Sequence, residues 1–205
     1  GLDWDSPGVR RFDAVRPADK GGFESIGARG CFESHLSILR AAAATGAQSV
    51  LICEDDLNFA ADFGPLSATA LDALAATDWG VFYGFPPAGQ TQAIGHGLAR
   101  VAPGQNVLCT HFLALRAPAI KAIVPYFEAM LARPEGDPAG GPMHVDGAYS
   151  WFRAAHPQFA TICAMPPLGY QRASRTDIAA EKTVDRLPVV RSLVKVARRI
   201  RNRLF

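Results

Sequence analysis

The feature that most constrains the fold is an apolar run that ends in three adjacent carboxylates, residues 49–56. Residues 49–53 show no polar alternation, and they follow a helical pattern that stops at Gly46. Such a run is typical of a strand buried in the centre of an α/β sheet. We therefore predict a central strand with the acidic residues 54–56 at its carboxyl end, where open α/β sheets bind their ligands.

The spacing of these acidic residues indicates a cation. Alternate residues of an extended chain point the same way, so Glu54 and Asp56 converge while Asp55 turns aside. Two converging carboxylates repel each other unless a positive charge lies between them, and hard divalent cations prefer oxygen ligands. The turn thus predicts a metal or substrate site. A solvated acidic turn or a helix cap is the alternative interpretation.

Composition and cysteine usage limit the class of protein. A chain of 205 residues with 49% hydrophobic content can bury the core of one domain. It contains no apolar run of about 20 residues and no signal-peptide pattern, so we expect a cytoplasmic protein. The cysteines have no CxxC spacing, which predicts thiols in a reducing compartment rather than disulfides or a zinc site. They are Cys31, Cys53, Cys109 and Cys163.

The charge is divided unequally along the chain. Residues 1–185 carry nineteen acidic and fourteen basic residues, a net charge of −5, whereas residues 186–205 carry seven basic residues and no acidic one. In this tail, Val189, Leu193 and Ile200 fall on one helical face, and basic residues fill most of the rest. The pattern predicts a basic amphipathic helix that binds an anionic membrane surface. Docking onto the body and nucleic-acid binding are less favoured alternatives.

The remaining pattern alternates between strands and helices, which indicates an α/β domain over residues 1–185. We expect a mostly parallel central sheet flanked by helices, and a long functional loop at 85–106, where breakers are dense. The predicted strands are 9–15, 49–53, 79–84, 107–115 and 159–165. The predicted helices are 28–44, 63–76, 117–131 with a kink at Pro125, and one that begins near Asp146.

Motif absences narrow the chemistry. The chain has no GxGxxG, GxxxxGK[ST] or GxSxG, so hydride, P-loop phosphoryl and acyl transfer are poorly supported. The reaction type that remains uses a metal ion, held by carboxylates, to offset the charge of a leaving pyrophosphate. Asp146, at a helix start, suits either a cap or a general base. His35 lies on an apolar helical face, and this position predicts a hydrogen-bonded core residue rather than a ligand.

Several motifs occur in an order that resembles a known family. They are GCFESHL at 30–36, LICEDDL at 51–57, THFLAL at 110–115, the pair Val145-Asp146, and PPL at 166–168 followed by Gln171 and Ser174. Across residues 9–178 this set is similar to glycosyltransferase family 25, the lipopolysaccharide and lipooligosaccharide galactosyltransferases. The resemblance implies a GT-A-like fold, a UDP-sugar donor, Mn²⁺ or Mg²⁺, and inversion at the anomeric carbon.

The resemblance also implies roles for single residues. Asp56 would hold the metal on the diphosphate, with Glu54 assisting or contacting the ribose. Asp146 would be the base, with His111 and His144 as rivals for that role. The residues implied in donor binding are Ser34, His35, Gln171, Arg172 and Ser174, and Arg172 is the charge partner for phosphate.

The overall hypothesis is a peripheral membrane enzyme on the cytoplasmic side. It would transfer a hexose, by resemblance galactose, from UDP to a lipopolysaccharide-type or lipooligosaccharide-type glycan. By the same resemblance, the family's first strand is missing from this chain. Two alternatives stay open: a non-catalytic glycan-associated or membrane-associated module with the same fold, and another metal-dependent nucleotide-sugar or nucleotidyl transferase.

Overall fold

A computed structural model describes residues 5–172, and the predicted tail and Ser174 lie outside this part. It contains four helices: α1 (Ile26–Ala44), α2 (Phe63–Ala75), α3 (Ala117–Ala132) and α4 (Val145–Ala155). Its eight strands are β1 (Ser49–Cys53), β2 (Leu57–Phe59), β3 (Val81–Tyr83), β4 (Gln92–Gly95), β5 (Leu98–Val101), β6 (Phe112–Arg116), β7 (Thr161–Ala164) and β8 (Gly169–Gln171). None of the helices between residues 5 and 172 has the length and apolar character needed to cross a bilayer.

Six strands form the main sheet in the order β1-β6-β3-β7-β5-β4, and β2 pairs with β8 in a separate two-stranded sheet. The α/β class is confirmed, but the mostly parallel sheet is wrong because only β3 and β7 pair in parallel. The reason is that β6 enters between β1 and β3 in the opposite direction. The strands β1, β3 and β7 still run the same way, so their carboxyl ends meet at one edge of the sheet.

The strand β1 lies at the edge of the sheet, not in its centre as predicted. Among the described residues it pairs only with β6, and Leu51 is 51% exposed. Val50 packs against the helices, while Ile52 is buried. The apolar run predicted a strand buried on both faces, but Leu51 and Cys53 on one face are exposed. Such a run also does not indicate how many strands flank it, so the prediction of a central position was wrong.

The sheet packs its two faces against different helices. Alternate residues of β3 and β6 point to opposite sides. Tyr83 and Leu113 join the helices α1, α3 and α4 in one core, and Phe82 and Phe112 join α2 and the β2–β8 pair in the other. The domain is therefore layered, with the sheet in the middle.

Several other element predictions differ from the structure. Residues 9–15 form no strand, and the long loop at 85–106 contains the β4–β5 hairpin. The helix α3 continues through Pro125 as one element. The strands β2 and β8 had no sequence signal, since three-residue strands are too short to show a period.

We expect Gly84→Ala to lower the free energy of unfolding by about 1–3 kcal/mol, the cost of overpacking a core. Gly84 follows β3, and a Cβ placed there would overlap the ring of Phe112. The main chain of Gly84 cannot move away, because its N–H donates to the carbonyl oxygen of Phe112 at 3.0 Å and its carbonyl accepts from Leu168 at 2.7 Å. Urea denaturation measures the change.

The matched control for this prediction is Gly64→Ala in α2, where a Cβ would meet nothing within 4 Å. That change should leave stability unchanged or raise it by up to about 1 kcal/mol, because alanine favours helix. Equal urea midpoints for the two variants would contradict the packing that we describe around Phe112.

Candidate functional site

The acidic residues form a tight turn at the carboxyl end of β1. The N–H of Glu54 donates to the carbonyl oxygen of His111 at 3.1 Å, and the N–H of Leu57 closes the turn on the carbonyl of Glu54 at 3.1 Å. The main-chain N–H of Arg172 then binds the carbonyl of Asp56 at 2.7 Å. The turn is thus fixed by β6 on one side and by the end of β8 on the other.

Glu54 is a partly buried carboxylate with two side-chain partners. Its Oε1 accepts a 2.5 Å hydrogen bond from Thr110 Oγ1 and lies 3.4 Å from His35 Nε2. Burial by itself raises the pKa of Glu54, but the contacts with His35 and Thr110 outweigh burial and lower it. Glu54 is therefore anionic at neutral pH.

One carboxylate oxygen of Asp56 accepts a hydrogen bond, and the other has no hydrogen-bond partner among the described residues. Its Oδ2 accepts a 2.8 Å hydrogen bond from Gln171 Nε2, whereas its Oδ1 is buried and has no donor within residues 5–172. Burial, followed by the charges of Glu54 and Asp55, raises the pKa of Asp56, although the bond from Gln171 opposes this. A buried carboxylate oxygen with no donor, next to a second carboxylate, fits a hard divalent cation such as Mn²⁺ or Mg²⁺.

Asp146 enters the site from the first turn of α4. Its Oδ2 accepts a 3.1 Å hydrogen bond from the N–H of Cys109, and its Oδ1 accepts a 2.8 Å bond from the N–H of Gly147. Cys109 has a φ of 72°, a backbone conformation that residues other than glycine rarely adopt. The strained residue before β6 therefore directs an amide at Asp146.

The charges of the same three carboxylates act on two thiols. Burial raises the pKa of Cys31 to about 12, and the charges of Glu54, Asp146 and Asp56 add to this effect. Burial and the same three charges also raise the pKa of Cys109. Hydrogen bonds through Cys109 and Gln171 link Asp146 to Asp56, and we call Glu54, Asp56 and Asp146 the acidic centre.

The two histidines proposed as rival bases lie in different environments. His111 is 4% exposed, stacks on Phe85 at 4.1 Å between ring centroids, and has no partner for either ring nitrogen among the described residues. Burial lowers its pKa, against the opposing charge of Glu54, so it is neutral at pH 7. His144 instead points its Nε2 at Glu24, 2.8 Å away in the loop before α1.

The residues predicted to bind the donor also lie in different environments. Gln171 joins the acidic centre, since it donates to Asp56 and accepts from Cys109 Sγ at 3.2 Å. The side chain of Arg172 is exposed, with one guanidinium nitrogen 3.5 Å from the carbonyl oxygen of Asp55. Ser34 accepts from the N–H of Val15 at 2.9 Å and donates to the carbonyl of Gly30 at 2.6 Å, a structural role in holding the extended N-terminal segment on α1.

Sequence reasoning overlooked three groups at this edge of the sheet. Thr110 binds Glu54, Tyr149 binds His35 Nδ1 at 3.1 Å, and Cys31 lies one helical turn before His35. The spacing of Cys31 and His35, four residues apart on a helix, was a usable signal. The partnership of Thr110 with Glu54 joins residues 56 positions apart, and no local pattern indicates it.

A cavity of about 480 Å³ lies away from the acidic centre, between α2 and the β4–β5 hairpin. Asp72 and His96 line it, together with apolar and hydroxyl side chains. It has none of the convergent carboxylates and none of the unpartnered buried nitrogen or oxygen atoms found in the described residues. Chemistry rather than volume therefore identifies the candidate site as the acidic centre.

Comparison with known proteins adds no assignment: no protein-family model matches the chain, and no curated protein matches it.

Proposed function

We propose that the chain is a metal-dependent glycosyltransferase of the GT-A type, which transfers a hexose with inversion from a UDP-sugar to a glycan of the lipopolysaccharide or lipooligosaccharide class. The observation that carries the proposal is the acidic centre, in which the turn after β1 supplies Glu54 and Asp56 and the start of α4 supplies Asp146, with Cys109 and Gln171 linking the two segments. Galactose as the sugar and GT-A as the fold type rest on the family resemblance. The α/β layering is compatible with that fold type and has no bearing on the sugar.

Glu54 and Asp56 are the proposed metal ligands. The unpartnered Oδ1 of Asp56 supplies an oxygen for Mn²⁺ or Mg²⁺, and Gln171 fixes the other oxygen so that the carboxylate keeps one orientation. A bound cation supplies charge that offsets the diphosphate of the leaving UDP. Arg172, whose main chain is bonded to this turn, is the proposed contact for a phosphate oxygen.

Asp146 is the proposed general base. In the reaction, the acceptor hydroxyl oxygen forms a bond to the anomeric carbon, the bond from that carbon to UDP breaks, and the hydroxyl proton passes to the Asp146 carboxylate. The amides of Cys109 and Gly147 orient the carboxylate for this step. The neutral, unpartnered His111 is the rival base, whereas His144 is engaged with Glu24.

The location of the enzyme is part of the same proposal. An acceptor that is built on a lipid lies at a membrane surface, and the basic residues of 186–205 suit an anionic leaflet on the cytoplasmic side. Each cationic residue near such a surface contributes about 1 kcal/mol to binding.

Calorimetric titration of UDP, with and without Mn²⁺, tests the donor site. We expect binding that requires Mn²⁺ and that Asp56→Ala weakens at least about tenfold, because a metal ligand is lost. Asp72→Ala is the matched control, since Asp72 is exposed on α2 and lies outside the acidic centre. Binding of UDP that is equal in both variants would refute the proposed metal ligands. Absence of binding by the unmodified chain would favour the non-catalytic module.

A further inference from the structure

A second set of possible ligands lies beside the acidic centre and includes sulfur and nitrogen. Cys31 and His35 are one turn apart on α1, so they share a helical face, and Glu54 faces them from the end of β1. One ligand atom from each of the three residues lies within 4.8 Å of the other two. His35 is buried, and Cys31 and Glu54 are partly exposed, so a cation can reach them from solvent.

We propose that Cys31, His35 and Glu54 form a binding site for a divalent cation of the zinc class. The donor set decides the class of metal. Thiolate and imidazole ligands suit Zn²⁺, whereas Mg²⁺ and Mn²⁺ prefer oxygen, so this set differs from the Asp56 side of the site. Three protein ligands leave a fourth tetrahedral position, as in zinc sites that bind water or a substrate atom.

The surroundings of these ligands are those of a metal site. Tyr149, which is fully buried, contacts His35 Nδ1 at 3.1 Å and so turns the other ring nitrogen, Nε2, toward Glu54 at 3.4 Å. Thr110 fixes the Glu54 carboxylate through its own hydrogen bond. Partners that hold a ligating histidine and a ligating carboxylate in one orientation are a regular part of zinc sites.

The three ligand atoms need to move only slightly closer together to bind zinc. Zinc bonds of about 2.0–2.3 Å at tetrahedral angles place ligand atoms roughly 3.3–3.8 Å apart. The upper separation of 4.8 Å is therefore about 1 Å too wide, a difference that a rotation of the Cys31 or Glu54 side chain removes. Binding also requires the Cys31 thiol to release its proton to solvent, which the metal–sulfur bond offsets.

The site was not predicted from the sequence because the cysteines lack CxxC spacing. In this fold the ligands come instead from one helix and from the turn after a neighbouring strand. The proposal does not depend on UDP or on the transfer reaction, although it shares Glu54 with the proposed donor site.

Cobalt titration of the metal-free chain under reducing, anaerobic conditions tests the site. Co²⁺ replaces Zn²⁺ in such sites, and it gives a thiolate-to-cobalt charge-transfer band and strong visible bands when it is four-coordinate. We expect both with one equivalent of Co²⁺, and we expect Zn²⁺ to abolish them stoichiometrically. Cys31→Ser should lose the charge-transfer band, and Glu54→Gln should weaken Co²⁺ binding at least tenfold.

Cys53→Ser and Cys109→Ser are matched controls, because neither thiol belongs to the proposed ligand set. Both variants should keep the charge-transfer band. Loss of the band in Cys109→Ser, its persistence in Cys31→Ser, or its absence from the unmodified chain would each overturn the proposal. Circular dichroism of every variant separates a lost ligand from a lost fold, and Glu54→Gln provides the decision if Cys31→Ser does not fold.

Manganese-dependent UDP binding, measured on the same samples, keeps this test separate from the proposed function. A chain that binds UDP with Mn²⁺ but gives no cobalt band refutes only the zinc-class site. A chain that gives the band but binds no UDP refutes only the transferase.

Discussion

Asp146→Asn is expected to lower hexose transfer by about 100-fold to 10,000-fold, the range that general-base catalysis contributes. The amide cannot accept the proton of the acceptor hydroxyl. It still accepts the hydrogen bond from Cys109, so the strained residue before β6 stays in place and the fold is retained. Transfer of labelled sugar from the UDP donor measures the rate, and urea denaturation measures the fold.

Two further results make this test decisive. Manganese-dependent UDP binding should stay within about threefold of the unmodified chain, because Asp146 contacts the acceptor side in this scheme. His111→Gln is the rival variant, since His111 is neutral and both of its ring nitrogens lack partners among residues 5–172. Transfer that survives in Asp146→Asn but not in His111→Gln would move the base to His111. Loss of UDP binding in Asp146→Asn would assign Asp146 to the donor side.

The second large effect is on stability. We expect Arg153→Met to lower the free energy of unfolding by about 3 kcal/mol or more. Arg153 on α4 is 1% exposed, and its guanidinium donates three 2.8 Å hydrogen bonds, to Thr161 Oγ1 and to the carbonyls of Gln105 and Ala102. Methionine fills a similar volume but leaves the buried Thr161 hydroxyl and the two carbonyls without this donor.

The size of this effect follows from two opposing contributions. Hydrogen bonds to a charged group stabilise by about 1.5–3 kcal/mol each, while burial of the guanidinium costs several kcal/mol and lowers its pKa. No carboxylate pairs with Arg153 in the described part of the chain, so two carbonyls, the Thr161 hydroxyl and the Tyr83 ring offset that cost. The same substitution at Arg100, which is exposed on β5, is the control and should change stability by under about 0.5 kcal/mol. Equal losses in urea denaturation would contradict the role of Arg153.

The long helices were predictable because their patterns are local. The predicted helix at 28–44 matches α1, and the one at 63–76 matches α2, since apolar spacing and glycine stops act within a few residues. Strand direction was not predictable in the same way. Nothing within 107–115 indicates that β6 lies between β1 and β3, because a strand's neighbours are set by packing across the chain.

The sequence indicated the acidic residues of the candidate site but not the orientation of its histidines. The acidic turn was visible because three carboxylates follow an apolar run, and Asp146 was visible because it begins a helix. The divergence of His111 and His144 was not visible, since the local sequence at neither position indicates where the ring points. Only the fold shows that His144 turns toward Glu24 while Asp146, two residues later, turns inward.

The β2–β8 ladder has a consequence for how the protein is made. It joins Leu57 to Gln171, residues more than a hundred positions apart, and Gln171 also holds the Asp56 carboxylate. Closing so long a loop carries an entropic cost that only later contacts repay, and a chain emerging from the ribosome cannot close it before residue 171 has been released. The acidic turn therefore acquires its final shape only after β8 has emerged. A nascent or truncated chain that ends before β8 lacks both the partner of β2 and the side chain that holds the Asp56 carboxylate.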